Sequence, residues 1–235
     1  MAAYKRIMLK LSGEVFSKKN GSGIDRETLD SVAQTIASVA KTGAQLVIVV
    51  GGGNIWRYRD MKQVGIERSV SDGMGMLATI MNSVALQSAL EHFGCHTRVL
   101  SAVDVPQLAE PFIRRRAMRH LEKKRVVICA GGTGNPFFTT DSAAALRASE
   151  LNCDILLKAT DVDGIYDKDP QKFKNATLFK QLSYQDALEK RIAVMDQAAF
   201  SLCQEQALPI RVFNFFKKGE LLKAVKGKKV GTLVH

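Results

Sequence analysis

Short apolar runs alternate along the chain with longer stretches of helical periodicity. The runs Tyr4–Leu11, Gln45–Val50, His96–Leu100, Val126–Ala130, Asp154–Ala159 and Pro209–Asn214 are nearly continuous in apolar character. That is the pattern of parallel strands covered on both faces. Between the first two, Leu29, Val32, Ala33, Ile36, Val39 and Ala40 recur at helical spacing behind the capping candidate Asp25, and Gly43 stops the helix. Further helices are predicted from Asp72 to Glu91 ending at Gly94, over Ser142 to Leu151, over Ser183 to Lys190 and from about Val194 to Ala207. The Ser183 helix opens on a capping-box-like Ser183-Tyr184-Gln185-Asp186. The alternation predicts an α/β fold in which helices sandwich a mostly parallel central sheet. No linker, repeat or low-complexity tract divides the chain, so residues 1–235 are expected to form a single domain. Asp161 to Lys174, rich in Asp, Lys and Gly, reads as a long loop near a site.

Composition supports this pattern, with 46% apolar and 24% charged residues in 235. No stretch approaches the roughly 18 apolar residues of a membrane span, and the first residues lack an apolar signal region, which predicts a soluble cytoplasmic protein without membrane contact. Cys95, Cys129, Cys153 and Cys203 are widely spaced among apolar neighbours and form no Cys-x-x-Cys pair, so they read as buried reduced thiols. His92, His96, His120 and His235 show no metal-ligand spacing, and no resident metal site is expected. The formal charge of +11 suits a protein that meets polyanions. Basic clusters at Arg114-Arg115-Arg116 with Arg119, at Lys123-Lys124-Arg125 and near the end of the chain carry little aromatic interleaving, which makes nucleic acid an improbable partner. The methionines Met74, Met76 and Met81 read as helix packing.

Candidate chemistry lies in three small-residue loops, each after a strand. They are Lys10-Leu11-Ser12-Gly13-Glu14, Gly51-Gly52-Gly53-Asn54 and the segment from Gly131 to Asp141 that opens a helix. Glycines let the backbone approach a ligand closely, and free N–H groups at a helix start favour anions. Ligands of open α/β sheets bind beyond the carboxyl ends of the strands, where three such loops share one crevice. The G-x-x-x-x-G-K-[ST] pattern is absent, as are the protein-kinase signatures. What remains is a strand-end lysine, glycine loops and the carboxylates Asp72, Asp141 and Asp196, the parts phosphoryl transfer uses for positioning and charge neutralisation.

These segments, taken in order with Arg57, Asp72-Gly73-Met74-Gly75-Met76-Leu77-Ala78-Thr79, Lys158-Ala159-Thr160-Asp161-Val162-Asp163-Gly164-Ile165-Tyr166, Val194-Met195-Asp196 and Leu208-Pro209-Ile210-Arg211-Val212-Phe213-Asn214, resemble the bacterial uridylate (UMP) kinases of the amino acid kinase superfamily. The likeness covers nearly the whole chain and implies the three-layer fold of that superfamily. It implies transfer of the γ-phosphoryl group of ATP to UMP, with magnesium carried on the nucleotide, as a step of pyrimidine nucleotide biosynthesis. By the same likeness Lys10, Asp141 and Asp196 are the catalytic group, with Asp196 orienting Lys10. Lys10, Leu11, Ser12, Gly13, Gly53, Arg57, Thr160, Tyr166 and Asp169 would line the ATP site. Gly52, Asp72, Thr133, Gly134, Asn135, Pro136, Phe137, Phe138, Thr139 and Thr140 would hold UMP. The resemblance also implies a homohexamer and UTP inhibition, and it places Lys18-Lys19-Asn20-Gly21-Ser22-Gly23 where GTP activation is linked to an early loop. Arg57-Tyr58-Arg59-Asp60 is bulkier and more charged than that family's pattern. Lys158 stands outside the implied catalytic set, because a lysine after Ile155-Leu156-Leu157 can face the phosphates or turn away.

Overall fold

The computed structural model describes residues 2–57, 65–190, 192 and 195–235. Tyr58, Arg59, Asp60 and Val194 lie outside the described residues.

The strands are β1 (Arg6–Leu11), β2 (Gln45–Val50), β3 (Thr97–Ser101), β4 (Glu110–Pro111), β5 (Val126–Ala130), β6 (Ile155–Thr160), β7 (Gln181–Leu182), β8 (Ile210–Asn214) and β9 (Thr232–Val234). They form a sheet in the order β4-β3-β5-β2-β1-β6-β8-β9-β7. Every pairing is parallel except β8 with β9. Alternate residues of β1 feed opposite cores: Ile7, Leu9 and Leu11 enter one, and Met8 enters the other. Strands β1, β2, β3, β5, β6 and β8 are largely buried on both sides, which explains the continuous apolar runs.

The helices are α1 (Arg26–Ala40), α2 (Arg68–His92), α3 (Arg114–Glu122), α4 (Thr140–Glu150), α5 (Tyr184–Glu189), α6 (Gln197–Glu205) and α7 (Glu220–Val225). The first core is closed by α1, α2 and α7, and the second by α3, α4, α5 and α6. The architecture is therefore α/β/α, as the alternation of patterns predicts. Asp25 caps α1 by accepting from Thr28 N at 3.0 Å, and Ser183 with Asp186 closes a capping box on α5. The four cysteines are buried and free. Burial pushes the Cys129 and Cys203 thiols up to about 12, which keeps them protonated and inert.

Two expectations need correction. The second long helix begins at Arg68, a turn before Asp72, so Asp72 lies inside α2 and not at its start. Met74 and Met81 do not pack in the core: they are 36% and 56% exposed, with Val70 and Leu77 on the same stripe. Helical periodicity marks an apolar face, but cannot say what covers it.

Candidate active site

The carboxyl ends of β1, β2 and β5 bring the three loops together. Beyond β1, Ser12 caps a short 3-10 helix, Gly13–Phe16. Gly13 is pressed so tightly against the second loop that a Cβ there would overlap Asn54 Oδ1 and the Gly51 carbonyl. Two buried asparagines hold the second loop. Asn82 Nδ2 donates to the Gly51 carbonyl at 2.8 Å and to Asn54 Oδ1 at 2.7 Å, while Asn54 Nδ2 donates to the Gly23 carbonyl at 2.8 Å. Gly52 packs on α2, where a Cβ would stand 2.8 Å from both Ala78 Cβ and the Gly75 carbonyl. Only glycine fits there without displacing α2. Arg57 Nε donates to the Gly53 carbonyl at 2.6 Å, and its guanidinium also pairs with Glu14. Gly13 and its neighbour Glu14, from the first loop, thus meet the second loop with its Gly53 and Arg57. Leu11 is wholly buried, so only its backbone can face a ligand; its carbonyl accepts from Gly51 N at 2.9 Å.

The third loop leaves β5 at Gly131, whose N–H donates to Thr79 Oγ1 on α2 at 3.0 Å. Gly131, Gly132, Gly134 and Phe137 all have positive φ, which folds the segment back over the sheet edge. Phe137, at φ 72°, is held by its N–H donating to Asp72 Oδ2 at 2.8 Å. Asp72 also receives Arg68 Nε, 2.9 Å from each carboxylate oxygen. Thr139 caps α4, accepting from Asp141 N at 3.0 Å and from Ser142 N at 3.3 Å. Gly52, Asp72, Thr133, Asn135, Phe138, Thr139 and Thr140 line one cleft, with Trp56, Gly75, Met76 and Thr79 in its wall, and Gly53, expected on the ATP side, lines it too. Gly134, Pro136 and Phe137 stand on the same loop outside that lining.

The two sides of the crevice meet at Asp141, in the first turn of α4. Its Oδ1 lies 2.8 Å from Lys10 Nζ, and its Oδ2 accepts from Lys158 Nζ at 2.6 Å. Lys10 and Lys158 are register partners on the adjacent strands β1 and β6, so both ammonium groups leave the sheet on one face. Burial pushes the Asp141 carboxyl up, but Lys10 and Lys158 outweigh it and hold it below its ordinary value. Lys158 is shifted down, by burial first and by Lys10 after Asp141 has partly compensated. Asp141 Oδ1 is held by Lys10 chiefly as an ion pair. The cluster is therefore a buried carboxylate shared by two cations.

Asp196 is not the partner of Lys10. It caps α6 by accepting from Ala199 N at 3.0 Å, accepts from Ser142 Oγ at 2.9 Å, and accepts the Thr139 hydroxyl. It locks the start of α4, and with it the third loop, to α6. The expectation that it orients Lys10 fails because Asp141 already fills that position. Thr160 ends β6, and Tyr166 and Asp169 lie in the segment that follows it. Thr160 Oγ1 bonds the Val162 carbonyl at 2.8 Å, Tyr166 bridges to Leu178, and Asp169 Oδ1 accepts from Gln171 N at 2.9 Å.

Besides Lys158, sequence reasoning passes over Asn54, Asn82, Trp56 and Thr79, which shape the loops from behind. For Lys158 the missing signal was register: once β1 and β6 are paired, a lysine in step with Lys10 must share its face.

Residues 5–214 match the amino acid kinase family. The chain belongs to the amino acid kinase family. Within that family it is similar to solved UMP kinases. The Bacillus anthracis UMP kinase is 39% identical, with TM-score 0.96 over 99% of this chain and 96% of that one. The Ureaplasma parvum UMP kinase is 38% identical, with TM-score 0.93 over 98% of each chain. The uridylate kinase of Archaeoglobus fulgidus is 30% identical, with TM-score 0.75 over 97% of this chain and 99% of that one. Among the described residues no helix is long and apolar enough to cross a membrane.

Proposed function

We propose that this amino acid kinase family member transfers the γ-phosphoryl group of ATP to UMP, giving UDP and ADP, a step of de novo pyrimidine nucleotide synthesis. The observation that carries the reading is Asp141, paired with Lys10 and Lys158 where the first two glycine loops meet the third. Likeness to UMP kinases over the whole chain supports the choice of acceptor.

ATP phosphates would rest on the backbone of Leu11, Ser12, Gly13 and Gly53, with Arg57 beside them. The nucleoside would lie along Thr160, Tyr166 and Asp169. UMP would occupy the cleft of Gly52, Asp72 and Thr133 to Thr140, its ribose on Asp72 and its phosphate toward Thr139 and Thr140. An acceptor phosphate oxygen is already ionised near neutral pH and attacks the γ-phosphorus without a general base. The bond to the β,γ-bridging oxygen breaks, and its electron pair leaves with ADP. Lys10 and Lys158 then neutralise charge on the equatorial and bridging oxygens, the positioning and electrostatic work that dominates phosphoryl transfer. Asp141 keeps both lysines aimed and limits their mutual repulsion. The site's donors are cationic and N–H groups, which suits phosphate oxygens. Magnesium carried in with ATP, as part of that substrate, would add further charge neutralisation.

The same reading includes a cytoplasmic homohexamer inhibited by UTP. The exposed stripe of Val70, Met74, Leu77 and Met81 on α2 supports self-association, since a soluble chain rarely leaves such a row to water. ADP release from Mg-ATP, with UMP, CMP, dUMP, AMP, GMP, glutamate and carbamate offered separately, tests the function. UMP-dependent turnover that disappears in Lys10→Ala is expected. Faster turnover with a carboxylate or carbamate would overturn the acceptor.

A further inference from the structure

Two loops that leave neighbouring strands are tied together by polar side chains. β6 and β8 pair from Leu156↔Ile210 to Thr160↔Asn214, so their following segments emerge side by side at the carboxyl edge. Asn214, the last residue of β8, donates from Nδ2 to the Asp161 carbonyl at 3.0 Å and to Asp163 Oδ1 at 3.1 Å. Its own Oδ1 accepts from Phe216 N at 3.0 Å, which fixes the amide's orientation. Lys217 Nζ completes the tie by donating to Asp163 Oδ2 at 2.6 Å. Residues 161–164 belong to no strand or helix, so these side chains supply the partners that a ladder would otherwise provide. Just beyond, Gly164 lies so close to Thr232 that a Cβ would stand 2.6 Å from its Oγ1, and Ile165 N donates to that oxygen at 2.9 Å. The entrance of the loop is thereby set before Tyr166 and Asp169 are reached.

Stability alone is a poor reason for this network. The Lys217 and Asp163 side chains are 57% and 37% exposed, and surface ion pairs of that kind contribute little. A cavity of about 470 Å³ opens along Asp163, Asn214 and Lys217, so this wall of the loop is not closely packed. What the tie does fix is the direction in which the loop leaves the sheet.

We propose that Asn214, together with the Asp163–Lys217 pair, is a positioning element that sets the loop carrying Tyr166 and Asp169 against the donor nucleotide. It deepens the donor side of the kinase reading and rests on it. Asn214 acts through the loop and touches no reacting atom.

The test compares the full-length wild type with Asn214→Ala and Asp163→Asn. Binding of a fluorescent N-methylanthraniloyl ATP with magnesium is titrated without acceptor, and KM for ATP, KM for UMP, kcat and Tm are measured alongside. Asn214→Ala is expected to raise the analogue Kd and the KM for ATP about tenfold, the equivalent of about 1.4 kcal/mol of lost preorganisation. Its kcat, KM for UMP and Tm are expected to stay near the wild-type values. Asp163→Asn keeps an acceptor for Asn214 but loses the charge, so a smaller rise confined to the donor is expected. Unchanged donor affinity in well-folded Asn214→Ala would overturn the proposal, as would parallel losses in both substrates and Tm. Wild-type protein that binds no ATP analogue would instead overturn the donor-site reading, and the latch with it.

Discussion

Replacing Asp141 by asparagine removes the carboxylate that bridges Lys10 and Lys158 while keeping the side chain's shape. The contacts are 2.8 and 2.6 Å, and the three side chains are 12–15% exposed. At an effective dielectric near 20, one pair about 4 Å apart is worth about 4 kcal/mol, and burying the charges consumes much of the gain from two such pairs. Breaking the pair leaves two like charges on register-matched strands, a cost we place at about 3 kcal/mol, the low end for buried pairs, because Lys158 can shed its proton. With an m-value of about 3 kcal/mol/M, the urea midpoint should fall by about 1 M at pH 7. The pH dependence adds a second signature. Asp141 has its folded pKa below the ordinary 3.8, so its stabilisation is fully present above that pH and is lost as pH falls through the folded value. The variant should lack that acid component. Lys158 is already shifted down, and without Asp141 it should shift further, so the variant's stability should rise with pH between that lowered value and the ordinary 10.5. Urea unfolding followed by circular dichroism at several pH values reads both effects. A variant as stable as the wild type at pH 7, with no gain toward alkaline pH, would refute the electrostatic reasoning.

Lys158→Met should leave the fold intact, because it removes a charge that burial already disfavours, yet lower kcat about 100-fold, as expected for one lost transition-state donor; steady-state kinetics beside a melting curve check this. Gly13→Ala should raise KM for ATP and lower Tm, since the new methyl displaces Asn54 and the second loop, and differential scanning fluorimetry with and without ATP separates the two losses. Leu77→Glu puts a charge in the middle of the exposed α2 stripe, and light scattering should show smaller assemblies than in the wild type.

The layers of the fold were legible because parallel strands buried on both faces leave unbroken apolar runs: Gln45–Val50 and Val126–Ala130 have the same bounds in sequence and structure. The short strands β4, β7 and β9, of two or three residues each, were not legible, because so few positions establish no period. Helix α3 was obscured by its charge, with three arginines opening it and no capping side chain. At the site, glycine loops and helix-start carboxylates marked the location, since backbone conformation at Gly131 and Gly134 demands residues that sequence displays directly. Pairings were a different matter. Which carboxylate meets Lys10 depends on how α4 and α6 sit over the sheet, and both Asp141 and Asp196 stand at helix starts. The exposure of Met74 and Met81 was hidden for a similar reason, because an apolar stripe reads alike whether its partner is this chain's core or another surface.

The most direct test of the account is to follow the phosphoryl group itself, by phosphorus NMR of Mg-ATP and UMP with the purified full chain. The account predicts UDP and ADP appearing together in equal amounts, with neither formed by Lys10→Ala. Inorganic phosphate accompanying ADP without UDP, or no change in either nucleotide with well-folded protein, would contradict it.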